Sequence, residues 1–272
     1  MTTPPLTGTV ALVTGAGRER GTGHTIAVAL AEAGCDLALH GSGSDPGTWP
    51  ESEKTSGWRG LDSVADEVLA LGRRAFVVHA DLRDSAQVDD MVDGVVDSLG
   101  RLDTLVNNAA APRGADRRPV VELSDSQWSN VLDVKLDGAF YCSRAAARRM
   151  ISQKSGGRIV NISSTAGKRA HRDVAAYAVA NAGLQMLGAS LSQELGRHRI
   201  TVNSLSVGAV DSSRIDDLGR GREFDEFIAR NNPLQRVGSL KEVADVVVFL
   251  CGDGGAFITG QSINVDGGAV AP

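Results

Sequence analysis

The sequence predicts an α/β fold in which a doubly wound parallel sheet carries helices on both of its faces. Short apolar runs rich in β-branched residues alternate with stretches of helical periodicity along the whole chain. The first of these runs, at residues 9–13, leads directly into a glycine-rich turn and then into an alanine-rich helical stretch. The chain has 272 residues and 42% hydrophobic content, which suits one large domain spanning residues 1–272.

The predicted elements follow one another in a regular order. Strands are expected at the short apolar runs, which lie at residues 9–13, 36–40, 75–79, 102–106, 158–163, 200–206 and 262–265. Helices are expected where apolar positions recur at helical spacing, at residues 24–34, 61–71, 85–99, 126–153 (in two parts), 174–198 and 240–251. Gly34 is the expected C-terminal cap of the first helix, and Ser85 is a candidate N-cap.

Two segments are longer than the usual connections between such elements. Residues 41–60 are rich in glycine, serine and proline and contain Trp49 and Trp58. This insertion is interpreted either as a flap over the adenosine end of a cofactor or a subunit contact, or as a surface loop packed on its own tryptophans. Residues 211–232 are charged and prone to helix formation, and we expect them to cover the substrate.

Composition argues against several classes of function. A net charge of -5 makes nucleic acid or an anionic membrane an improbable main partner. No apolar run approaches the roughly 20 residues that span a bilayer, and the N-terminal MTTPPLTGTV lacks the features of a signal peptide, which predicts a cytoplasmic protein. The cysteines have no metal-binding or redox spacing, so we expect reduced thiols and no metal site.

The residues that follow the strands indicate where a ligand binds. In a doubly wound sheet, ligands bind outside the carboxyl ends of the strands. Gly15, Asn107, Ser164 and Gly208 each follow a strand at that end. The turn from Thr14 to Gly23 combines glycines with the start of a helix, an arrangement in which backbone N–H groups face a pyrophosphate.

The stretch from Ser163 to Leu187 completes the pattern, because Ser164 lies thirteen residues before Tyr177 and a helical segment continues from that tyrosine. Together with the glycine turn, the NNAA sequence at 107–110 and ITGQ at 258–261, this stretch resembles the short-chain dehydrogenase/reductase family, in particular bacterial ketoreductase-like members. The resemblance covers nearly the whole chain.

The resemblance implies a Rossmann-like, seven-stranded parallel sheet with the strand order 3-2-1-4-5-6-7. It also implies an oxidoreductase, either a carbonyl reductase or an alcohol dehydrogenase, that acts on a small molecule with a nicotinamide cofactor and assembles into a homotetramer or homodimer. The positions that the resemblance assigns to cofactor binding are Gly15, Arg18, Arg20, Gly21, Gly23, Ser42, Asp81, Leu82, Asn108, Ala109, Tyr177, Asn181, Gly208, Val210 and Ser212.

Cofactor choice is predicted from the end of the second strand. Family members that use NAD carry an acidic residue there, whereas this chain has Gly41 and Ser42. Arg18 and Arg20 lie in the glycine turn, and guanidinium groups are well suited to bind a 2′-phosphate. We therefore expect NADP rather than NAD. The turn holds two more residues than the family pattern, so the sequence does not decide which arginine faces the ribose.

The catalytic positions depart from the family in a reciprocal way. Asn181 stands where the family has the lysine that stabilises the tyrosinate, and Lys135 stands where the family has an asparagine. One interpretation is that Lys135 supplies the missing charge to Tyr177, with Ser164 binding the substrate oxygen. The alternative is a non-redox activity, such as an isomerase, dehydratase or cyclase, or a redox-inactive protein that binds the cofactor.

The sequence does not identify the substrate. Arg113, Arg117, Arg118 and Arg214 lie in the two segments that we expect to shape the pocket. They are candidates to meet an acidic or polyhydroxylated substrate, although loop arginines are usually solvated.

Overall fold

A computed structural model describes residues 4–43, 49, 51–219 and 221–270. Within these residues the strands are β1 (Val10–Thr14), β2 (Asp36–Gly41), β3 (Ala75–His79), β4 (Thr104–Asn107), β5 (Gly157–Ser164), β6 (Ile200–Val207) and β7 (Ser262–Val265). They form one parallel sheet in the order β3-β2-β1-β4-β5-β6-β7. The predicted fold class and strand order are confirmed.

The helices connect successive strands and cover the sheet. They are α1 (Thr22–Glu32), α2 (Glu51–Thr55), α3 (Leu61–Ala70), α4 (Ser85–Leu99), α5 (Asp125–Leu132), α6 (Gly138–Gln153), α7 (Ala175–Leu195), α8 (Arg222–Asn231) and α9 (Leu240–Cys251). No helix of the described residues is long and apolar enough to cross a membrane.

Burial on both faces explains why the strands are almost continuously apolar. Along β1, Ala11 and Val13 face a core that includes α1, α3 and α9, whereas Val10 and Leu12 face a core that includes α4 and α6. Side chains of a strand alternate between the two faces, so a central parallel strand needs apolar residues at every position. The sheet therefore holds the carboxyl ends of its strands at one fixed edge.

Most element bounds agree with the sequence, and the differences have local causes. β3, α9 and β7 begin and end at the predicted residues. Gly34 ends α1 with φ of +104°, as expected for a left-handed cap. The N-cap prediction for α4 was wrong, because the carboxylate of Asp84 accepts hydrogen bonds from the backbone of Ala86 and Gln87, and Ser85 is already helical.

The predicted division of the helix over residues 126–153 takes a specific form. Between α5 and α6 the backbone makes a π turn at Asp133–Asp137 and continues in the same direction. A π turn widens the helix and re-aims the side chains within it. Lys135 lies at the centre of this turn.

The described part of the insertion after β2 packs on the glycine turn. The Trp58 Nε1–H donates to the carbonyl of Gly17 at 2.9 Å. The Glu53 carboxylate, on α2, accepts hydrogen bonds from the Arg18 guanidinium and from the Glu19 N–H, and Glu53 is 2% exposed. The insertion is thus attached to the turn and is not packed only on its own tryptophans.

His40, at the end of β2, also supports the glycine turn. Its Nδ1 accepts from the Gly15 N–H at 3.4 Å, and its Nε2 lies 3.0 Å from the Ala80 carbonyl, so Nε2 carries the proton. The ring is buried, and burial lowers its pKa from 6.5 to about 4. Protonation of Nδ1 would place a donor against the Gly15 N–H.

We expect the protein to lose stability as the pH falls from about 6.5 to about 4. The unfolded chain binds a proton on His40 below pH 6.5, whereas the folded chain resists protonation until about pH 4. This difference corresponds to about 3 kcal/mol of unfolding free energy. Urea titrations across this pH range would measure how steeply the free energy of unfolding changes with pH. A His40→Gln variant should lose this contribution, whereas His79→Gln, at an exposed neighbouring position, should retain it.

Candidate active site

The turn from Thr14 to Gly23 forms a cradle at the N-terminus of α1. Gly15 adopts φ of +67°, and a Cβ at that position would lie 2.9 Å from the Ala109 Cα. A Cβ at Gly23 would lie 2.5 Å from both the Gly15 carbonyl oxygen and the Asn108 Nδ2. These two positions therefore require glycine, since any side chain would push the turn away from the end of β4.

The cradle fits the pyrophosphate of a dinucleotide. Gly21 is the N-cap of α1 and has no side chain to cap the helix, and the first turn contains no acidic residue. The first N–H groups of a helix lack partners within the helix and carry partial positive charge. With no side-chain acceptor at the cap and no nearby carboxylate in the helix, these groups suit a phosphate oxygen.

The end of β4 is fastened directly to this cradle. The Asn108 amide donates to the carbonyls of Thr14 and Gly15, and the N–H groups of Asn108 and Ala109 donate to the Thr14 hydroxyl. The structure thus brings together the predicted cofactor residues Gly15, Asn108 and Ala109. Asn108 acts on the turn through its side chain.

Asn107 lies beneath the site and faces the core. Its Nδ2 donates to the Ser143 hydroxyl and to the Asn161 side chain, both at 2.9 Å. All three side chains are buried, which makes this a polar network between β4, β5 and α6. These contacts tie the end of β4 to β5 and α6.

The arginines expected to bind a 2′-phosphate both have carboxylate partners. Arg18 pairs with Glu53 at 3.2 Å. Arg20 pairs with Asp211 at 2.8 Å and with Asp216 at 3.0 Å. A 2′-phosphate that bound either guanidinium group would therefore compete with at least one acidic side chain.

The other residues predicted near the adenosine occupy the ends of β2 and β3. Ser42 is exposed just after β2, and Leu82 is buried. The Asp81 carboxylate accepts bidentate hydrogen bonds from Arg83, which hold its pKa below the ordinary value of 3.8. Asp81 therefore remains ionised at neutral pH, with its oxygens partly occupied by Arg83.

After β6 the chain turns back over the glycine turn. Gly208 packs against Asp266, whose Cα lies 2.8 Å from the position of a Cβ at residue 208. Val210 and Ser212 are buried, and the Ser213 N–H donates to the Arg20 carbonyl at 3.0 Å. This connection places the segment after β6 on the same edge of the sheet as the cradle.

Ser164 and Tyr177 lie at a junction between β5 and α7. The Gln185 side chain, on α7, donates to the Ser163 hydroxyl and to the Ser164 carbonyl, and the Ser163 hydroxyl donates to the Asn181 carbonyl. Gly167 lets the turn after Ser164 touch α7, since its Cβ would lie 2.7 Å from the Ala182 nitrogen. The end of the strand is therefore held against the helix that carries Tyr177.

Asn181 does not take the position of an extended lysine. Its Nδ2 donates to the Tyr177 carbonyl one turn earlier at 2.8 Å, so the side chain folds back on α7. Asn181 is fully buried, and its Oδ1 is a buried acceptor without a hydrogen-bond partner. Such an acceptor is costly in an apolar environment and is open to a donor.

Lys135 links the cofactor cradle to the catalytic junction. Its ammonium donates to the Ile162 carbonyl at 2.7 Å, to Ala109 at 3.2 Å and to Asn108 at 3.4 Å. These carbonyls belong to the carboxyl ends of β5 and β4. Burial, with a smaller contribution from Arg214, lowers the pKa of Lys135 from 10.5 to about 7. Carbonyl groups thus bind the ammonium, and the pKa of this lysine lies close to neutral pH.

Two guanidinium groups face the ring of Tyr177. The Arg117 Cζ lies 4.3 Å from the ring centroid and the Arg214 Cζ lies 5.3 Å from it. Both distances fall within the range of a cation–π interaction. The sequence indicated these arginines only as candidate substrate contacts and did not connect them with the tyrosine.

Several supporting residues were missed by the sequence reasoning. Glu53, His40, Asn161 and Gln185 each hold a site segment through hydrogen bonds. Gln185 had a detectable signal, because it follows Asn181 by one helical turn and so lies on the same side of α7. Glu53 had none, since it lies in an insertion whose position depends on tertiary contacts.

Comparisons with known proteins agree with this geometry. The family model described as enoyl-(acyl carrier protein) reductase matches residues 15–270. The chain is 36% identical over 258 residues to the 3-oxoacyl-(acyl-carrier-protein) reductase FabG of Staphylococcus aureus. The matched region covers 95% of this chain and 96% of that relative.

Solved structures show the same architecture. Carveol dehydrogenase from Mycobacterium avium in complex with NAD has a TM-score of 0.88 and 29% identity, covering 98% of this chain and 99% of that one. Acetoin dehydrogenase from Enterobacter cloacae has a TM-score of 0.79 and 36% identity, covering 96% and 95% of the two chains.

Proposed function

Because the chain belongs to the short-chain dehydrogenase/reductase family, we propose that it transfers hydride between a nicotinamide cofactor and a small carbonyl or hydroxyl substrate. The position of Lys135 is the observation that carries this proposal. Its ammonium donates both to a carbonyl of β5, the strand that ends at Ser164, and to a carbonyl just after β4, where the chain packs on Gly15. Through these contacts the cofactor cradle and the serine–tyrosine junction form one site.

The roles follow from the chemistry of the side chains. In the direction of reduction, the Ser164 hydroxyl donates a hydrogen bond to the substrate carbonyl oxygen. Tyr177 gives its proton to that oxygen as the carbon–oxygen π bond opens, and the Lys135 charge favours the resulting phenolate. When bound, the reduced nicotinamide supplies the hydride that forms the new carbon–hydrogen bond, and is itself oxidised. The cradle from Gly15 to Gly23 would hold its pyrophosphate.

A single-turnover experiment tests the proposal. Protein loaded with NADPH is mixed with a panel of ketones and aldehydes, and the near-ultraviolet absorbance of the reduced nicotinamide is followed. Loss of this absorbance together with formation of the alcohol is the expected result. If no member of the panel is reduced and no alcohol oxidises the NADP-loaded protein, the redox proposal is wrong.

A non-redox activity is the second candidate. The observation that favours it is the folded-back amide of Asn181, which leaves no cation one turn after Tyr177 on α7. The resemblance implies that a lysine at this position stabilises the tyrosinate, and Asn181 carries no charge to do so. The same experiment separates the two candidates, because an isomerase or dehydratase would change the substrate without consuming the NADPH.

We further propose that the cofactor is NADP(H), with only a modest preference over NAD(H). The absence of an acidic residue at Gly41 and Ser42, together with Arg18 beside the cradle, supports this choice. Glu53 limits the preference, because a bound 2′-phosphate would compete with its carboxylate for Arg18.

The Glu53→Gln substitution should therefore strengthen NADPH binding relative to NADH by roughly tenfold, equivalent to about 1.4 kcal/mol. Titrations of each nucleotide by fluorescence would give the ratio of dissociation constants. Glu51→Gln is the matched control, since Glu51 lies on the same helix and is exposed. An unchanged ratio in Glu53→Gln would show that Arg18 does not contact the phosphate.

We also propose that the protein is a cytoplasmic homotetramer or homodimer. Exposed apolar side chains on the two long helices after the π turn support self-association, namely Phe140 on α6 and Val179 and Met186 on α7. The free, buried cysteines suit a reducing compartment. Light scattering of the purified protein would return the mass of a single chain if the assembly proposal is wrong.

A further inference from the structure

Two loops from different parts of the chain place their arginines against the ring of Tyr177. Arg117 comes from the segment between β4 and α5, and Arg214 comes from the segment after β6. Their guanidinium carbons lie 4.3 and 5.3 Å from the Tyr177 ring centroid. The ring of the tyrosine that is proposed to transfer a proton thus has two cations within 5.3 Å of its centroid.

Hydrogen bonds between the two loops hold Arg214 in place. The Arg214 guanidinium donates to the Ala111 carbonyl at 3.3 Å, and the Arg113 guanidinium donates to the Arg214 carbonyl at 3.1 Å. Each loop therefore supplies an acceptor to an arginine of the other. Such mutual bonding pre-organises the charges, so a ligand would not have to order them on binding.

The Arg117 guanidinium is incompletely hydrogen-bonded. Asp116 lies 3.5 Å from the Arg117 Nε, but the geometry of a hydrogen bond is not met and this Nε remains a buried donor without a partner. Burial, and the like charges of Arg214 and Arg113, lower the pKa of Arg117, against the opposing effect of Asp116 and Tyr177. A partly buried cation whose donors are incompletely paired is unfavourable, and an anionic ligand would relieve the cost.

We propose that Arg117 and Arg214 bind the carboxylate of an oxo acid or hydroxy acid whose carbonyl or hydroxyl group reacts at Tyr177. This inference rests on the proposed oxidoreductase function and adds the substrate class. A planar carboxylate matches the fork of a guanidinium, and a single negative charge matches two arginines partly offset by Asp116. Their contact with the Tyr177 ring places the carboxylate a few atoms from the reacting carbon.

Binding can be measured without turnover. The probes are pyruvate, acetoacetate and levulinate, which separate the carboxylate from the ketone by increasing distances, each compared with its methyl ester on NADP-loaded protein by calorimetry. We expect at least one acid to bind more tightly than its ester. In Arg117→Gln and Arg214→Gln, affinity for that acid should fall about ten- to a hundredfold while affinity for the ester is unchanged.

Arg118→Gln is the matched control, because Arg118 lies on the same loop and its guanidinium donates to the Ala115 carbonyl. It should bind the acid like the unmodified protein. Arg117→Lys keeps the positive charge but lacks the forked donors of a guanidinium. Its affinity for the acid should lie between those of the unmodified protein and Arg117→Gln. Retained NADPH binding by each variant shows that it is folded.

Equal binding of acid and ester in all three pairs would overturn the inference, as would an equal loss in Arg118→Gln. The two proposals fail separately. Arginine-dependent binding of an acid that is never reduced would support the carboxylate site and contradict the redox activity. Reduction of neutral ketones with no advantage for any acid would support the redox activity and contradict the carboxylate site.

Discussion

Tyr177→Phe should lower the single-turnover rate of NADPH oxidation by roughly 10²- to 10⁴-fold, the usual contribution of a general acid. The substitution removes only the phenolic oxygen, so the ring can still pack beneath Arg117 and Arg214. Stopped-flow absorbance with any reduced ketone of the panel would give the rate.

The chain contains only one other tyrosine, which provides the control. Tyr141 lies on α6, and Tyr141→Phe removes the same atom from a position that packs in the core with α4. Its rate should equal that of the unmodified protein. A Tyr177→Phe protein that reduces the ketone at the normal rate would exclude proton transfer by this residue.

Lys135→Met should lower the same rate about ten- to a hundredfold, because the site loses the charge that favours the Tyr177 phenolate. The pH dependence supplies a second readout. With a pKa of about 7, the lysine is charged below that pH and loses its proton as the pH rises through it. Activity of the unmodified protein should therefore decline above about pH 7, and this limb should be absent from Lys135→Met.

A purely structural role for Lys135 would give a different result. Loss of its ammonium removes the hydrogen bonds that it donates to the carbonyls of Ile162, Ala109 and Asn108, which lowers stability. Stability loss alone would not remove a limb from the pH profile of the remaining activity. Lys241→Met, at an exposed residue paired with Asp245, is the control for lysine removal. An unchanged rate and profile in Lys135→Met would end the relocated-charge hypothesis.

The double substitution Lys135→Asn with Asn181→Lys restores the family arrangement. If Lys135 supplies the charge, the double variant should retain activity, since the cation returns to α7. If the natural site is redox-inactive, the double variant should gain an activity that the unmodified protein lacks. If Lys135 supplies the charge, the single variant Lys135→Asn should reduce the ketone more slowly than both the unmodified protein and the double variant.

Periodicity was sufficient to place the strands and helices along the chain, since it reports local burial, whereas the strand order was predicted from the family resemblance. Runs such as 75–79 and 240–251 have the bounds that the structure shows, because their turns and caps are formed by adjacent residues. The glycine cradle was also readable, as Gly15 and Gly23 lie where no side chain fits. The one wrong cap, at Ser85, reflects competition between neighbouring side chains for the same N–H groups.

Contacts between distant segments decided the rest. The sequence predicts an exchange of lysine and asparagine from the family resemblance, but only the π turn and the ends of β4 and β5 place the Lys135 ammonium between cradle and junction. Likewise, Glu53 reaches Arg18 across thirty-five residues, and Arg214 reaches the Ala111 carbonyl across about a hundred.

The sequence by itself therefore determined the doubly wound sheet, the glycine cradle, and the positions of Ser164 and Tyr177 at one edge of that sheet. The tertiary structure alone decided which charges surround Tyr177. The physical reason is that secondary structure and turns follow from interactions between near neighbours, whereas the charge at a site depends on the direction of long side chains from separate loops.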